Sequence, residues 1–173
     1  MQVAYRIGAA APASHLFDVI LEITDIVEAE VIVRLPAWIP GSYMIRDYAR
    51  HVVALQARDA RGALVAVERL DKSSWQISAG GTELTVLLQV YAWDVSVRGA
   101  HLDTSHAYFN GVCVFPEVLG ATPGFDVEID RFSGLPAEVV VATSLPPVSV
   151  DTAGFGHYRV GDYDELIDHP VEI

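Results

Sequence analysis

The chain has 173 residues, the length of one ordinary domain, and sets eleven basic residues against twenty-three acidic ones for a formal net charge of −12. That balance argues against a nucleic-acid or anionic-membrane partner, because phosphate binding needs clustered Lys and Arg. Yet 51% of the residues are hydrophobic and the mean hydropathy is +0.31, which excludes a disordered acidic tail.

A chain this long buries roughly 70% of its unfolded surface and needs no staple to fold. The lone Cys113 excludes an internal disulfide framework and a Cys-based zinc ribbon. No apolar run reaches the ~18 residues of a membrane-spanning helix. The N-terminus lacks a basic region followed by an apolar run, so the cytoplasm is the default expectation, an unseen leader aside.

In chain order the dominant period is two. Val3, Tyr5 and Ile7 alternate, and so do Phe17, Val19, Leu21 and Ile23 within His15 to Ile23, as half-buried strands require. Further strands are predicted over Glu30 to Leu35, His51 to Arg58, Ala63 to Leu70, Trp75 to Ser78 and Glu83 to Ala92. Gly111 to Phe115, Phe125 to Asp130, Glu138 to Thr143 and Phe155 to Val160 complete the set. Turn signals separate them, among them Gly80-Gly81, Pro123-Gly124 and Pro146-Pro147. Only Ser42 to Arg50 and Tyr163 to Asp168 suit single helical turns. The pattern predicts an all-β fold, a two-sheet antiparallel sandwich or saddle-like body with few or no helices, in one domain. After Pro170 the apolar residues have nothing evident to pair with, and the chain reads as a fragment of a longer protein.

No H-E-x-x-H, P-loop, G-x-G-x-x-G or G-x-S-x-G occurs. The most distinctive stretch is Leu35 to Arg50. Pro36 and Pro40 fix φ around Trp38, and Gly41 permits a tight reversal. Trp38, Tyr43, Arg46, Asp47 and Tyr48 then belong either to a recognition loop or to a plug that packs its aromatics, with Arg46 against a neighbouring carboxylate. A second stretch, His101 to Gly111, offers His101, Asp103 and His106 as a weak metal pattern and Tyr108 and Asn110 as turn residues. Ser105-His106 beside Asp103 suggests a triad by adjacency only, which is not how triads are built. Asp162, Asp164, Glu165, Asp168 and Glu172 read as an acidic edge. Cys113, inside an apolar run, reads as a small buried hydrophobe.

Leu35 to Arg50, read as L-P-A-W-I-P-G-S-Y-M-I-R-D-Y-A-R, resembles the hallmark of the N-terminal domain of the glycyl aminopeptidase family, bacterial and archaeal zinc metallopeptidases of the gluzincin type. Val95 to Asp103 with Tyr108 to Gly111, and Tyr163 to Glu172, resemble that family's mid-domain pattern and its lead into the catalytic domain. The resemblance implies residues 1–173 as a non-catalytic N-terminal β domain. The same resemblance implies that a thermolysin-like zinc domain would follow it, often with a PDZ domain after that. The parent enzyme would remove N-terminal Gly- or Ala-type residues from peptides, with zinc in the absent domain. No catalytic or metal-ligating residue falls in this chain, and the fragment alone is expected to be inactive. Its partners would be its own downstream catalytic domain and, in the full enzyme, the peptide. Trp38, Tyr43, Arg46, Asp47, Tyr48, Tyr108 and Asn110 become candidates for the substrate cleft or the interdomain face. That face is expected as an apolar patch near Trp38, Tyr43 and the C-terminal segment, open to self-association. A free-standing β-sandwich module binding peptide or carbohydrate is the alternative.

Overall fold

The computed structural model describes residues 1–39 and 41–173; the predicted proline clamp at Pro40 lies outside the described residues. The strands are β1 (Gln2–Gly8), β2 (Leu16–Thr24), β3 (Glu30–Arg34), β4 (Val52–Asp59), β5 (Val67–Arg69), β6 (Ser74–Ser78), β7 (Leu84–Tyr91), β8 (Ala100–Leu102), β9 (Ala107–Phe109), β10 (Glu117–Val118), β11 (Phe125–Ile129), β12 (Ala142–Thr143), β13 (Pro147–Val150), β14 (Gly156–Val160) and β15 (Val171–Glu172). Two short helices, α1 (Gly111–Val114) and α2 (Tyr163–Asp168), interrupt them.

The predicted all-β, largely antiparallel architecture is what forms, distributed over three sheets. A seven-stranded sheet runs β13-β14-β11-β1-β2-β7-β4, and two four-stranded sheets run β10-β3-β6-β5 and β12-β15-β9-β8. In the large sheet β1 pairs antiparallel with β2 and parallel with β11. Its alternation is the one in the sequence: Val3, Tyr5 and Ile7, then Phe17, Val19, Leu21 and Ile23, then Leu84, Val86, Leu88 and Val90 all point inward and are buried. The smaller sheets contribute Val31, Val33 and Ile77 from one side and Leu102, Phe109 and Val171 from the other to the same core. Phe17 ties the large sheet to the third one, meeting Phe109 and Phe132 edge-on at 5.3 and 5.8 Å. Tyr5 is buried and Tyr163 half-buried, and they donate their hydroxyls to the Pro116 and Phe115 carbonyls, both at 2.8 Å. Burial raises both phenols far above their ordinary pKa, so they stay neutral donors.

Five expectations need correction. Gly111 to Phe115 starts as helix α1 and not as a strand. The run is buried on every side, and such a run has no period that separates strand from helix. Gly111 also lets α1 approach α2, since a Cβ there would sit 2.6 Å from the Leu166 carbonyl oxygen. The strands expected over Ala63 to Leu70 and Glu138 to Thr143 shrink to β5 and β12. The C-terminal residues do find partners: β15 lies between β9 and β12, and Val171 and Ile173 are buried. The helical turn expected over Ser42 to Arg50 is confined to a 3-10 turn at Tyr48–His51, whereas Tyr163–Asp168 is helical as predicted. Asp162 caps that helix by accepting the Glu165 N–H at 2.8 Å, and the Glu165 carboxylate reaches back to the Gly161 N–H at 2.5 Å.

Candidate functional site

The Leu35 to Arg50 loop is built around Ser42, which is buried. Trp38 Nε1 donates to the Ser42 carbonyl at 2.7 Å, and Ser42 Oγ accepts the Met44 N–H and Arg46 Nε, each at 3.2 Å. The Arg46 N–H closes the loop on the Ala37 carbonyl at 2.7 Å. Gly41 supplies the reversal with φ of +79°, a conformation that costs a residue with a Cβ. So held, the loop turns Tyr43, Met44 and Ile45 outward, and Tyr43 is fully exposed. Trp38 is half-exposed beside α2, near Asp164, Glu165 and Asp168.

The charges sort differently from the sequence reading. Asp47 pairs with Lys72 at 2.7 Å and not with Arg46, whose Nε is taken up by Ser42. Neither arm of the loop reading holds alone: Tyr48 packs inward, 4% exposed, while Tyr43 packs on nothing.

Three of the candidates converge on one turn, Ser96 to Gly99. Tyr48 donates its hydroxyl to the Arg98 carbonyl at 3.0 Å and Tyr108 to the Val97 carbonyl at 3.0 Å. Asn110 Nδ2 donates to Val97 at 3.0 Å and to Gly99 at 3.2 Å, and its side chain is buried. Burial raises the Tyr48 phenol to about 12, so it remains a donor throughout the physiological range. Cys113 lies beneath the same turn as a small buried hydrophobe, its thiol raised to about 12 by burial. Arg98 Nη2 reaches the Gly41 carbonyl at 3.5 Å and links this turn to the Leu35 to Arg50 loop. Val95 and Val97 stand exposed on the turn as Tyr43, Met44 and Ile45 do on the loop. The exposed apolar residues thus lie on the loop and on the turn that Arg98 links to it, whereas Val171 and Ile173 at the C-terminus are buried.

His101 and Asp103 form a local scaffold. His101 Nε2 meets Asp103 Oδ2 at 3.2 Å, while Asp103 Oδ1 accepts the Ser105 N–H, the Ser105 hydroxyl and the His106 N–H at 2.7, 2.7 and 2.9 Å. The Ser105 N–H, then its hydroxyl and His101, hold the Asp103 carboxyl well below the usual range. His106 turns instead to Glu172 at 3.2 Å. Among the described residues no three His, Cys, Asp or Glu side chains are placed to hold a metal ion. The described residues therefore offer no ligand set for a zinc ion. Of Asp162, Asp164, Glu165, Asp168 and Glu172, two are used locally as helix caps.

Sequence reasoning missed Ser42, Arg50, His51 and Arg98. Arg46, Arg50, His51 and Arg98 line one small cavity with Tyr48, Trp93 and Asp94. Ser42 carried a faint signal, a small hydroxyl residue directly after the reversing Gly41. The arginines carried none, because they come from segments about fifty residues apart.

By class the fold is a three-sheet β body that presents a braced loop face. The family described as Peptidase M61 N-terminal domain matches residues 4–173, and the chain belongs to that family. The match is to the N-terminal domain of that peptidase family, as the Leu35 to Arg50 motif implied. Among solved structures, an aminopeptidase N family protein from Idiomarina loihiensis is 35% identical with a TM-score of 0.93, over 99% of this chain and 29% of that one. An M1 zinc metallopeptidase from Deinococcus radiodurans shares the fold at a TM-score of 0.51 and 12% identity, over 99% of this chain and 41% of that one. The chain thus spans less than half the length of each. The comparison with curated proteins returns no match. No helix among the described residues is long and apolar enough to cross a membrane.

Proposed function

We propose that residues 1–173 serve as the N-terminal domain of a zinc metallo-aminopeptidase whose catalytic domain follows in the same chain. The observation that carries this reading is the family match over nearly the whole sequence. In the parent enzyme the substrates are peptides with small N-terminal residues such as Gly or Ala, and the zinc is held by the catalytic domain, where it activates water for peptide hydrolysis.

This domain's main task is packing on the catalytic domain, with Asn110 offered to the cleft. The exposed Tyr43, Met44, Ile45, Val95 and Val97 form an apolar surface that suits packing on the catalytic domain. Uncovered, the same surface supports self-association. Asn110 uses its amide nitrogen to hold the Val97–Gly99 turn, and its carbonyl oxygen is the group that remains for a substrate amine. Asp47 is already paired with Lys72, which leaves it a weaker attractor of that amine.

The coding sequence beyond residue 173 is expected to contain H-E-x-x-H and a downstream Glu. In the full-length protein, Asn110→Ala is expected to lower kcat/KM on N-terminal Gly substrates about tenfold or more, and Asp47→Ala to leave it within about twofold. Wild-type kcat/KM for a folded Asn110→Ala enzyme would remove the cleft role.

A further inference from the structure

Basic side chains are scarce here, eleven in all, and carboxylates are abundant. Five of the eleven are ion-paired: Arg6 with Asp130, Arg34 with Glu117, Lys72 with Asp47, Arg131 with Asp151 and Arg159 with Asp126. Among the described residues Arg46, Arg50 and Arg98 make no such pair, and yet all three line one cavity. Neither are they stacked on rings, the two cation–π contacts among the described residues belonging to Arg69 and Arg131. Three like charges gathered in a chain of net charge −12 repel one another unless an anion joins them.

Their internal commitments are few. Arg46 uses Nε on Ser42 Oγ, Arg98 touches the Gly41 carbonyl only at 3.5 Å, and Arg50 Nε donates to His51 Nε2 at 3.0 Å. The outer nitrogens of Arg46 and Arg50 have no partner among the described residues. Asp94, the one carboxylate in the wall, directs Oδ1 to the Ser96 N–H at 2.8 Å and forms no ion pair with the arginines. His51 accepts from Arg50, and burial followed by the Arg50 charge lowers its pKa, so the imidazole is neutral beside the guanidinium.

The cavity measures about 20 Å³ and is walled by Tyr48 and Trp93. That volume takes a group of one or two water-sized units, and not a sugar ring or a nucleotide. A guanidinium fork matches a planar two-oxygen anion in bidentate geometry. We propose that this cavity is a carboxylate-binding site, receiving either the C-terminal carboxylate of a peptide or an acidic side chain. The proposal stands on the arginine geometry and is independent of the peptidase reading.

The test is a titration of the 173-residue chain, following the side-chain 15N resonances of the arginines and His51. Acetate is expected to bind saturably with Kd on the order of 1–10 mM, more weakly as chloride rises. Inorganic phosphate, tetrahedral and larger, is expected to bind more weakly than acetate. Triglycine against triglycinamide reads out a chain end, and N-acetylglutamate α-amide reads out an acidic side chain. Arg50→Gln alters an exposed residue and keeps the fold, and it is expected to weaken acetate binding about tenfold, as is Arg98→Gln. The site is overturned by the absence of saturation up to about 100 mM acetate. It is overturned equally by wild-type affinity in both folded variants, or by phosphate binding more tightly than acetate.

Discussion

The seven-stranded sheet and the face formed by Leu35 to Arg50 with Ser96 to Gly99 are both tightly hydrogen-bonded, but they treat apolar residues in opposite ways. On the sheet, every inward residue of β2 is fully buried. On the loop face, Trp38, Ser42, Arg46, Tyr48, Tyr108 and Asn110 are spent on bracing the backbone, and Tyr43, Met44, Ile45, Val95 and Val97 are left to solvent. Exposure of those five therefore does not follow from a slack loop. A braced backbone that exposes apolar side chains is pre-organised for a partner, because less ordering entropy remains to be lost on docking.

Substitutions separate the two regions. Phe17→Ala removes a fully buried ring packed against Phe109 and Phe132, and should cost about 3–5 kcal/mol in urea unfolding. A cost below about 1 kcal/mol would mean that the large sheet is not the seat of stability. Next comes Gly111→Ala, which places a methyl 2.6 Å from the Leu166 carbonyl oxygen and should cost about 1–3 kcal/mol as α1 and α2 part. The bracing itself is sharpened by Tyr48→Phe, which leaves the Arg98 carbonyl only the long Cys113 Sγ contact at 3.9 Å and should cost about 1–2 kcal/mol. Tyr108→Phe, at a more exposed site whose carbonyl acceptor keeps the Asn110 bond, should cost less than Tyr48→Phe.

A pH experiment probes the scaffold beside the turn. The Asp103 carboxyl is lowered from 3.8, chiefly by the Ser105 N–H. A lowered carboxyl pKa adds stability above the unfolded value, and that contribution is lost as the pH falls below it. Asp103→Asn should therefore be less stable than wild type near neutral pH, with the gap closing as the pH drops below 3.8. Urea midpoints measured across that range decide it, and a gap independent of pH would refute the assignment.

The sheet was largely legible in the sequence because half-buried strands alternate strictly, as from Phe17 to Ile23. The shortest pieces were not. β10 and β15 are two residues each and exist only because neighbouring strands offer hydrogen bonds, and of the strand expected over Glu138 to Thr143 only the two residues of β12 pair. Helix α1 hid in an apolar run that carries no period. The Leu35 to Arg50 motif announced a special loop and, through it, the family. It did not say which aromatic faces inward, since Tyr48 is fixed by a carbonyl fifty residues away. The arginine cavity was masked by the whole-chain charge, a sum that says nothing of where the few cations gather.

The smallest effect is the most telling for the comparison. Replacing Tyr43, Met44 and Ile45 together by Ser should change the stability of the 173-residue chain by no more than about 0.5 kcal/mol per site, since none of the three is buried. The expectation runs against composition, because three large apolar residues in a core would be costly to lose. If the triple variant unfolds at a clearly lower urea concentration, the loop's apolar residues are part of the fold and the face is no docking surface. If stability holds while sedimentation shows weaker self-association of the isolated chain, the excess hydrophobicity of this acidic domain has its explanation. The residues that raise its mean hydropathy beyond what the core needs are then the ones kept for another surface to cover.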